Sequence, residues 1–390
     1  MIKEGIILNS RKIHIDCSKP IKLSPARSWR TYLGGKLIDE IHGSEDPKDS
    51  HFPEEWIISI VSSRTLGREE DGLNKLDLPE VDLTLKEIVD ENPIEFLGEN
   101  HVEKFGNQTG VLVKLIDSAE RLIIQTHPDK EKAKELFQSA YGKTECWHFV
   151  GGRKIDGEPP YVYLGFKPGV TKEHWKALFK EQNIQGMLDC LHKYYVQPGD
   201  TFLIEAGTPH AIGAGCLLVE IQEPTDYTIR LEKTSPSGLK LEDYLVHQGL
   251  GFEKMFDVFK YDAFTREETL KKWKIAPSTI KASASNKEIE LVGYKQTPCF
   301  RMTLIEVNNE VEIQGDGVFS GLYILSGNAT IITGEDLQKV KKGDQLFIPA
   351  QVSRFSIKNN GDQAVKALRL FGPSLNEKAH PGEDIKALTK

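Results

Sequence analysis

Apolar residues recur at helical spacing through TLKEIVDENPIEFL (84–97), where Leu85, Ile88 and Val89 share one face and Pro93 breaks the run. From residue 111 the period shortens. VLVKLID (111–117) alternates, RLIIQTH (121–127) follows after a short polar turn, and both predict strands. Pro128-Asp129 then opens a predicted helix, with Asp129 as its N-cap and Ala133, Leu136, Phe137 and Ala140 on its apolar face. CWHFVGG and YVYLGFKPG predict two more strands. Residues 171–193 predict two short helices, one burying Trp175, Leu178 and Phe179, the next Ile184, Met187, Leu188 and Leu191. Strands return at DTFLIEAG, CLLVEIQ and DYTIRLEK, followed by a helical patch over 241–273. From about 290 onward the pattern is short strands and glycine turns: RMTLIEV, EVEIQ, GLYILSG, ATIITG, DQLFIPA and RFSIK. MIKEGIILNSRK at the N-terminus has no small-residue cleavage site and predicts a first strand, not a signal peptide.

The two strand-rich blocks repeat one another. VQPGDTFLIEAGTPHAIG (196–213) lies over VKKGDQLFIPAQVSRFSI (340–357), so that Gly199-Asp200 matches Gly343-Asp344 and Phe202 matches Leu346. Eleven residues after the glycine the first copy has His210 and the second Arg354. A Gly-Asp turn, an apolar strand, a short turn and a histidine resemble the second motif of a cupin. The expected fold class is mainly β: tandem cupin (jelly-roll β-barrel) domains with a helical insertion. The expected organisation is a metal-binding cupin domain over 1–240, a helical connector over 241–280, and a second cupin-like domain over 281–390 that lacks the metal histidine.

Charge narrows the partners. The chain has 390 residues, with 50 Lys plus Arg against 58 Asp plus Glu, a net charge of −8. With no basic tract this argues against nucleic acid. No apolar run reaches the ~18 residues of a membrane span. Cys17, Cys146, Cys190, Cys216 and Cys299 are scattered and form no CxxC pair, as expected of reduced thiols in a cytoplasmic protein.

Four residues carry candidate chemistry. Gln125 and His127 are two apart on one predicted strand and so face the same way. Glu145 begins the strand after the helix, and His210 follows the strand DTFLI. Two imidazoles, a carboxylate and an amide oxygen suit Zn²⁺, with Fe²⁺, Mn²⁺ and Co²⁺ as competitors.

QTHPDKEKAKELF, GKTECW, AGTPHAIGAGCLLVEIQEPTDYTIRL and the early WRTYLGGK resemble the short form of the type I mannose-6-phosphate isomerases, over most of residues 20–390. The resemblance implies a zinc-dependent isomerase, a sugar phosphate substrate, and Gln125, His127, Glu145 and His210 as ligands, while Arg354 at the position matching His210 predicts one ion per chain, in the first barrel only. It also implies active-site roles for Lys143 and Arg230. Ile229 stands where the family usually has Tyr, and Glu55-Trp56 where it often has Cys-Trp.

Moving a proton between C1 and C2 of a sugar phosphate needs a base and a stabiliser for the enediolate charge. A buried lysine beside a metal suits acid–base work, and Lys143 is the candidate. Arg230 suits an enediolate stabiliser or a phosphate clamp, the plain alternative being an ion pair with Glu220 or Asp226. Glu220 is also a candidate partner behind a ligand histidine. Trp29, Arg30, Lys36 and Trp56 are candidates for the open end of the barrel, with packing the simpler role for both tryptophans. Lys167 reads as a solvated loop residue. Two other activities fit parts of the pattern. One is a cupin dioxygenase, which uses two histidines and a carboxylate. The other is a non-catalytic sugar-binding cupin protein.

Overall fold

Alternation of inward and outward side chains organises the molecule, seen here in a computed structural model that describes residues 6–8, 11–13, 15–63, 65, 67–79 and 81–376. On the strand Glu145–Gly152, Trp147 and Phe149 face one core while Cys146 faces another. Ser320–Ser326 does the same, with Leu322 and Ile324 on one side and Tyr323 on the other. Residues two apart on a strand share a face, so each of these strands serves two cores.

The strands form open sheets of five, seven, seven and four strands, with Ile6–Leu8 and Arg11–Ile13 as a separate hairpin. The five- and first seven-stranded sheets enclose Trp147, Phe149, Val162, Leu164, Phe202, Ile204, Ile212 and Leu218. The second seven-stranded and four-stranded sheets enclose Leu322, Ile324, Leu346, Ile348, Phe355 and Ile357. A third core lies between the two large sheets, where Val113, Leu115, Val219 and Ile221 meet Met302, Phe347, Leu368 and Leu370. Helices Lys172–Glu181 and Ile184–Asp189 join the five-stranded sheet around Phe166, Trp175 and Ile229.

The mainly β architecture matches the sequence expectation, but among the described residues no sheet closes into a barrel. The segments that would carry hydrogen bonds round the first unit are too short: Gln125–Thr126, His210–Ile212 and Ile229–Arg230. This also corrects two predicted strands, RLIIQTH and DYTIRLEK. Outside the short strands only isolated backbone bonds remain, Leu122 N to Ile212 O and Leu231 N to Ile124 O (both 2.8 Å), and the Glu232 carboxylate takes Ile124 N (2.7 Å) and Arg121 Nη1 (2.6 Å). The predicted first strand lies partly outside the described residues. Early and late segments also interleave, since Ile21–Leu23 pairs with Gln345–Ile348 and Lys274–Ile275 with Thr201–Ile204.

The internal repeat is structural as well as sequential. Gly199 (φ 96°) and Gly343 (φ 89°) both take the left-handed conformation that favours glycine. Asp200 Oδ2 accepts from Gln197 N at 3.1 Å, and Asp344 Oδ2 from Lys341 N at 2.8 Å. Ladder registers then match positions across the copies. Ile204 faces Glu145 while Ile348 faces Ser320, so Ser320 stands where the first copy has Glu145.

Helix boundaries follow local chemistry. Thr84 and Glu87 form a capping box on Leu85–Glu91, and Pro93 ends that run by starting Pro93–Leu97 at its first turn. Asp129 caps Lys130–Phe137 through Lys132 N.

Candidate metal centre

The four sequence candidates meet at one end of the first sandwich. His210 pairs directly with Gln125 across two short strands, and Glu145 opens the neighbouring sheet's strand. His127 is held by its carbonyl, which accepts from Gly207 N at 2.7 Å. Gly142 permits the close approach that brings Lys143 in, because a Cβ there would lie 2.7 Å from Pro128 O.

His127 Nε2 lies 3.2 Å from Glu145 Oε2, and His210 Nε2 lies 3.3 Å from Glu145 Oε1. Each ring donates Nδ1–H to a carbonyl, His127 to Tyr227 O (2.8 Å) and His210 to Thr208 O (2.9 Å). That fixes the tautomer and leaves both Nε2 lone pairs directed at one point. Burial lowers the pKa of both rings, to about 3 for His127 with Lys143 adding to the effect, so both stay neutral ligands. Burial alone would raise Glu145, but the Lys143 ammonium outweighs it and holds the carboxyl well below its usual range.

The donor set fits a metal. Both Glu145 oxygens are buried and neither has a hydrogen-bond partner, a costly state that a cation removes. The donor atoms of His127, Glu145 and His210 all lie within 4.8 Å of one another, the one such group among the described residues. The Gln125 carboxamide lies 3.3 Å from His210 Nε2, where a half-turn of the amide presents its oxygen to the same point. Two nitrogens and two oxygens suit Zn²⁺.

Beside the donors is a recess with about 490 Å³ of empty space, counting its mouth, that Gln125, Lys143 and Arg230 help to line. Lys143 is buried, its Nζ 3.0 Å from His127 Nε2 and 3.4 Å from Glu145 Oε2. Arg230 Nη1 donates to Leu245 O at 2.7 Å. The ion pair considered for Arg230 is not formed. Asp226 instead faces Arg30 (3.6 Å) and Lys114 (3.7 Å).

Glu220 lies in the same recess but does not stand behind a ligand histidine. It accepts from Trp147 Nε1 at 3.1 Å and faces Lys114 at 3.4 Å. Burial, reinforced by the negative charge of Glu145, pushes its pKa up to about 7. Lys114 and Glu54 escaped the sequence reading. Glu54 accepts from Arg30 Nε (2.7 Å), Tyr32 Oη (2.8 Å) and Trp56 Nε1 (2.9 Å). Burial alone would raise Glu54, but Arg30 and Lys114 hold it down to about 2. A lysine flanked by Val113 and Leu115 in the run VLVKLI was the available signal.

Of the remaining candidates, Arg30 lines the recess and its Nη2 is buried without a partner. Trp56 is a core residue under Arg30 and Lys114. Trp29 stacks on His51, Lys36 begins a helix away from the lining, and Lys167 donates to Asp189 O.

The family model "Phosphomannose isomerase type I, catalytic domain" matches residues 29–144, and "Mannose-6-phosphate isomerase, cupin domain" matches residues 292–367. Over both segments the chain is similar to the phosphomannose isomerases, type I in the catalytic part. It is 25% identical to the mannose-6-phosphate isomerase ManA of Bacillus subtilis over 279 residues, 70% of this chain and 80% of that one. It is 26% identical to the mannose-6-phosphate isomerase of Streptococcus mutans over 282 residues, 70% of this chain and 80% of that one. Among solved structures, the fold is similar to that of the B. subtilis mannose 6-phosphate isomerase (TM-score 0.66, 23% identity, covering 90% of this chain and 99% of that one). It is also similar to a zinc-bound mannose 6-phosphate isomerase (TM-score 0.69, 16% identity, covering 91% of this chain and 100% of that one). No described helix is long and apolar enough to cross a membrane.

Proposed function

We propose that the chain interconverts mannose 6-phosphate and fructose 6-phosphate in the cytoplasm, through an enediolate, with one Zn²⁺ per chain held by Gln125, His127, Glu145 and His210. The observation that carries this reading is Glu145: a buried carboxylate beside Lys143 whose two oxygens have no hydrogen-bond partner and each face a neutral imidazole nitrogen. Bound there, the ion would supply Lewis-acid polarisation of the sugar's C1 and C2 oxygens.

The chain's own groups divide the rest. Lys143 is the proposed proton-transfer group, supported by its burial beside the donors. Glu220, with a pKa near the working range, supports a second acid–base role in the same recess. Arg230 stays charged and stabilises enediolate negative charge, with Nη1 anchored on Leu245 O. Arg30, Lys114, Lys143 and Arg230 offset Glu54, Glu145, Glu220 and Asp226, so a divalent ion leaves the recess net positive, as an anionic sugar phosphate requires.

A coupled mannose-6-phosphate to fructose-6-phosphate assay, run with metal analysis, tests the reading. Turnover that is lost with the metal and restored by Zn²⁺ is the expected result. Oxygen uptake without isomerisation would point to a dioxygenase, and sugar binding without turnover to a non-catalytic protein. Either would refute the reading.

A further inference from the structure

The strand Glu54–Ile57 brings Glu54 and Trp56 to the recess and then turns sharply at Ile58. Ile58 has φ 47°, a left-handed conformation that a β-branched residue adopts only under strain. Such a conformation persists where its surroundings over-determine it. Here the surroundings come from the second sandwich. Gln345 Oε1 accepts from Ile58 N at 2.8 Å, and Gln345 Nε2 donates to Trp56 O at 3.4 Å. One side-chain amide thus brackets the turn as a neighbouring strand would. Gln345 is fully buried, between Tyr323 and Leu23 in the second large sheet. Ile58 also packs against the bare backbone of Gly321, where a Cβ would lie 2.6 Å from its side chain.

We propose that Gln345 is a positioning residue for the recess, acting through the strained turn at Ile58. The contacts run without a break: Gln345 to Trp56 and Ile58, Trp56 to Glu54, and Glu54 to Arg30, with Lys114 lying over the Trp56 ring. The second sandwich, which lacks the ligand set, therefore supplies the clamp that fixes one wall of the site. The wall carries Arg30 and Lys114, whereas Lys143 lies on a different element. Loss of the clamp should therefore act on substrate binding more than on proton transfer.

This inference rests on the recess being a sugar phosphate site, and the test separates the two claims. In metal-loaded Gln345→Leu, KM for mannose 6-phosphate is expected to rise at least tenfold, with kcat within threefold and metal content unchanged. Phe347→Leu, a core change on the same strand, should lower Tm while leaving KM within twofold. Unchanged KM in Gln345→Leu, or an equal rise in Phe347→Leu, overturns the positioning role. Should the wild-type protein itself turn over no sugar phosphate, the functional reading fails. The clamp is then read by hydrogen exchange: at least tenfold faster exchange across residues 54–58 in Gln345→Leu supports it, and unchanged exchange overturns it.

Discussion

Replacing Lys114 by methionine keeps the length of the side chain and removes one buried positive charge. Its ammonium lies 3.4 Å from Glu220, 3.7 Å from Asp226 and 3.9 Å from Glu54. At an effective dielectric near 20, each such pair has a gross attraction of about 4–5 kcal/mol. Most of that offsets the cost of burying the lysine, so the expected loss on removing one partner is about 3–5 kcal/mol. The loss should depend on pH in a definite direction. Glu220 titrates above its usual range, so it stabilises the fold below its unfolded pKa and loses that contribution as pH rises through about 7. Lys114 opposes that upward shift, and its removal pushes Glu220 higher. Near pH 6 the carboxyl stays protonated and spares the variant part of the penalty. Above neutrality it ionises among uncompensated neighbours. Glu54 and Asp226 are the opposite case. Their depressed pKa values contribute stability at neutral pH, part of which comes from Lys114 and goes with it. Thermal unfolding of metal-free wild type and Lys114→Met, followed by tryptophan fluorescence between pH 5.5 and 8.5, should show a Tm gap that widens as pH rises. A gap constant across that range would refute the assignment of buried charge to this cluster.

Four further outcomes are expected. His127→Ala and His210→Ala should each lose metal and activity while retaining far-UV circular dichroism, because the apolar interior around Trp147 and Phe202 does not include the ligands. Full metal content in either variant would remove that residue from the ligand set. Lys143→Met should keep its metal and lose ~10²-fold or more in kcat. Arg230→Lys should retain measurable turnover and lose a charge-assisted contact of roughly 1.5–3 kcal/mol, and the reverse pattern would exchange the two roles. In Glu220→Gln, a limb of the kcat–pH profile near pH 7 should vanish; a limb that persists belongs to another group. Arg354→His should not create a second zinc site, since Ser320 stands where Glu145 would be needed; a second tight equivalent would contradict the matching of the two copies.

Sequence alone pointed to the fold class and to four residues that the structure brings together, because both rest on local signals. The Gly-Asp turns at 199 and 343 announced the repeat, and their hydrogen bonds coincide in the structure. Gln125 and His127, two apart, pointed to a shared face, and they do share one. Closure of the sheets was not legible, because it depends on how far short strands such as His210–Ile212 extend. Glu232 shows why RLIIQTH was overread: its carboxylate, more than a hundred residues away, takes the Ile124 N–H and the Arg121 guanidinium, and only isolated backbone bonds remain on either side. The wall of the recess was hidden for the same reason. Glu54, Lys114 and Asp226 are far apart in sequence, and each alone is an ordinary charged residue. Gln345 was hidden further still, in the copy that lacks the metal histidine.

The inward positions of the two sandwiches explain why only one holds the chemistry. Ladder registers match Lys114 to Thr303 and Glu220 to Arg369. They likewise match Glu54 to Glu288, through its pairing with Ile305. In the second copy Thr303 Oγ1 donates to Glu288 Oε1 at 3.0 Å, so a neutral hydroxyl answers the carboxylate. The Arg369 guanidinium lies over the Phe371 ring. Glu54, Lys114 and Glu220 are all but sealed, whereas Glu288 and Arg369 stay partly exposed. Burying charge is expensive unless every partner is present, and a stable fold alone gives no reason to do it. The second sandwich buries far less of it, with Arg369 Nε sealed but Glu288 partly exposed, and keeps the same turn, the same ladder and an apolar interior. The first sandwich concentrates that cost at one end, where four cations and three carboxylates line the recess beside the donor set. That difference between two copies of one architecture is what a functional site predicts and a structural one does not.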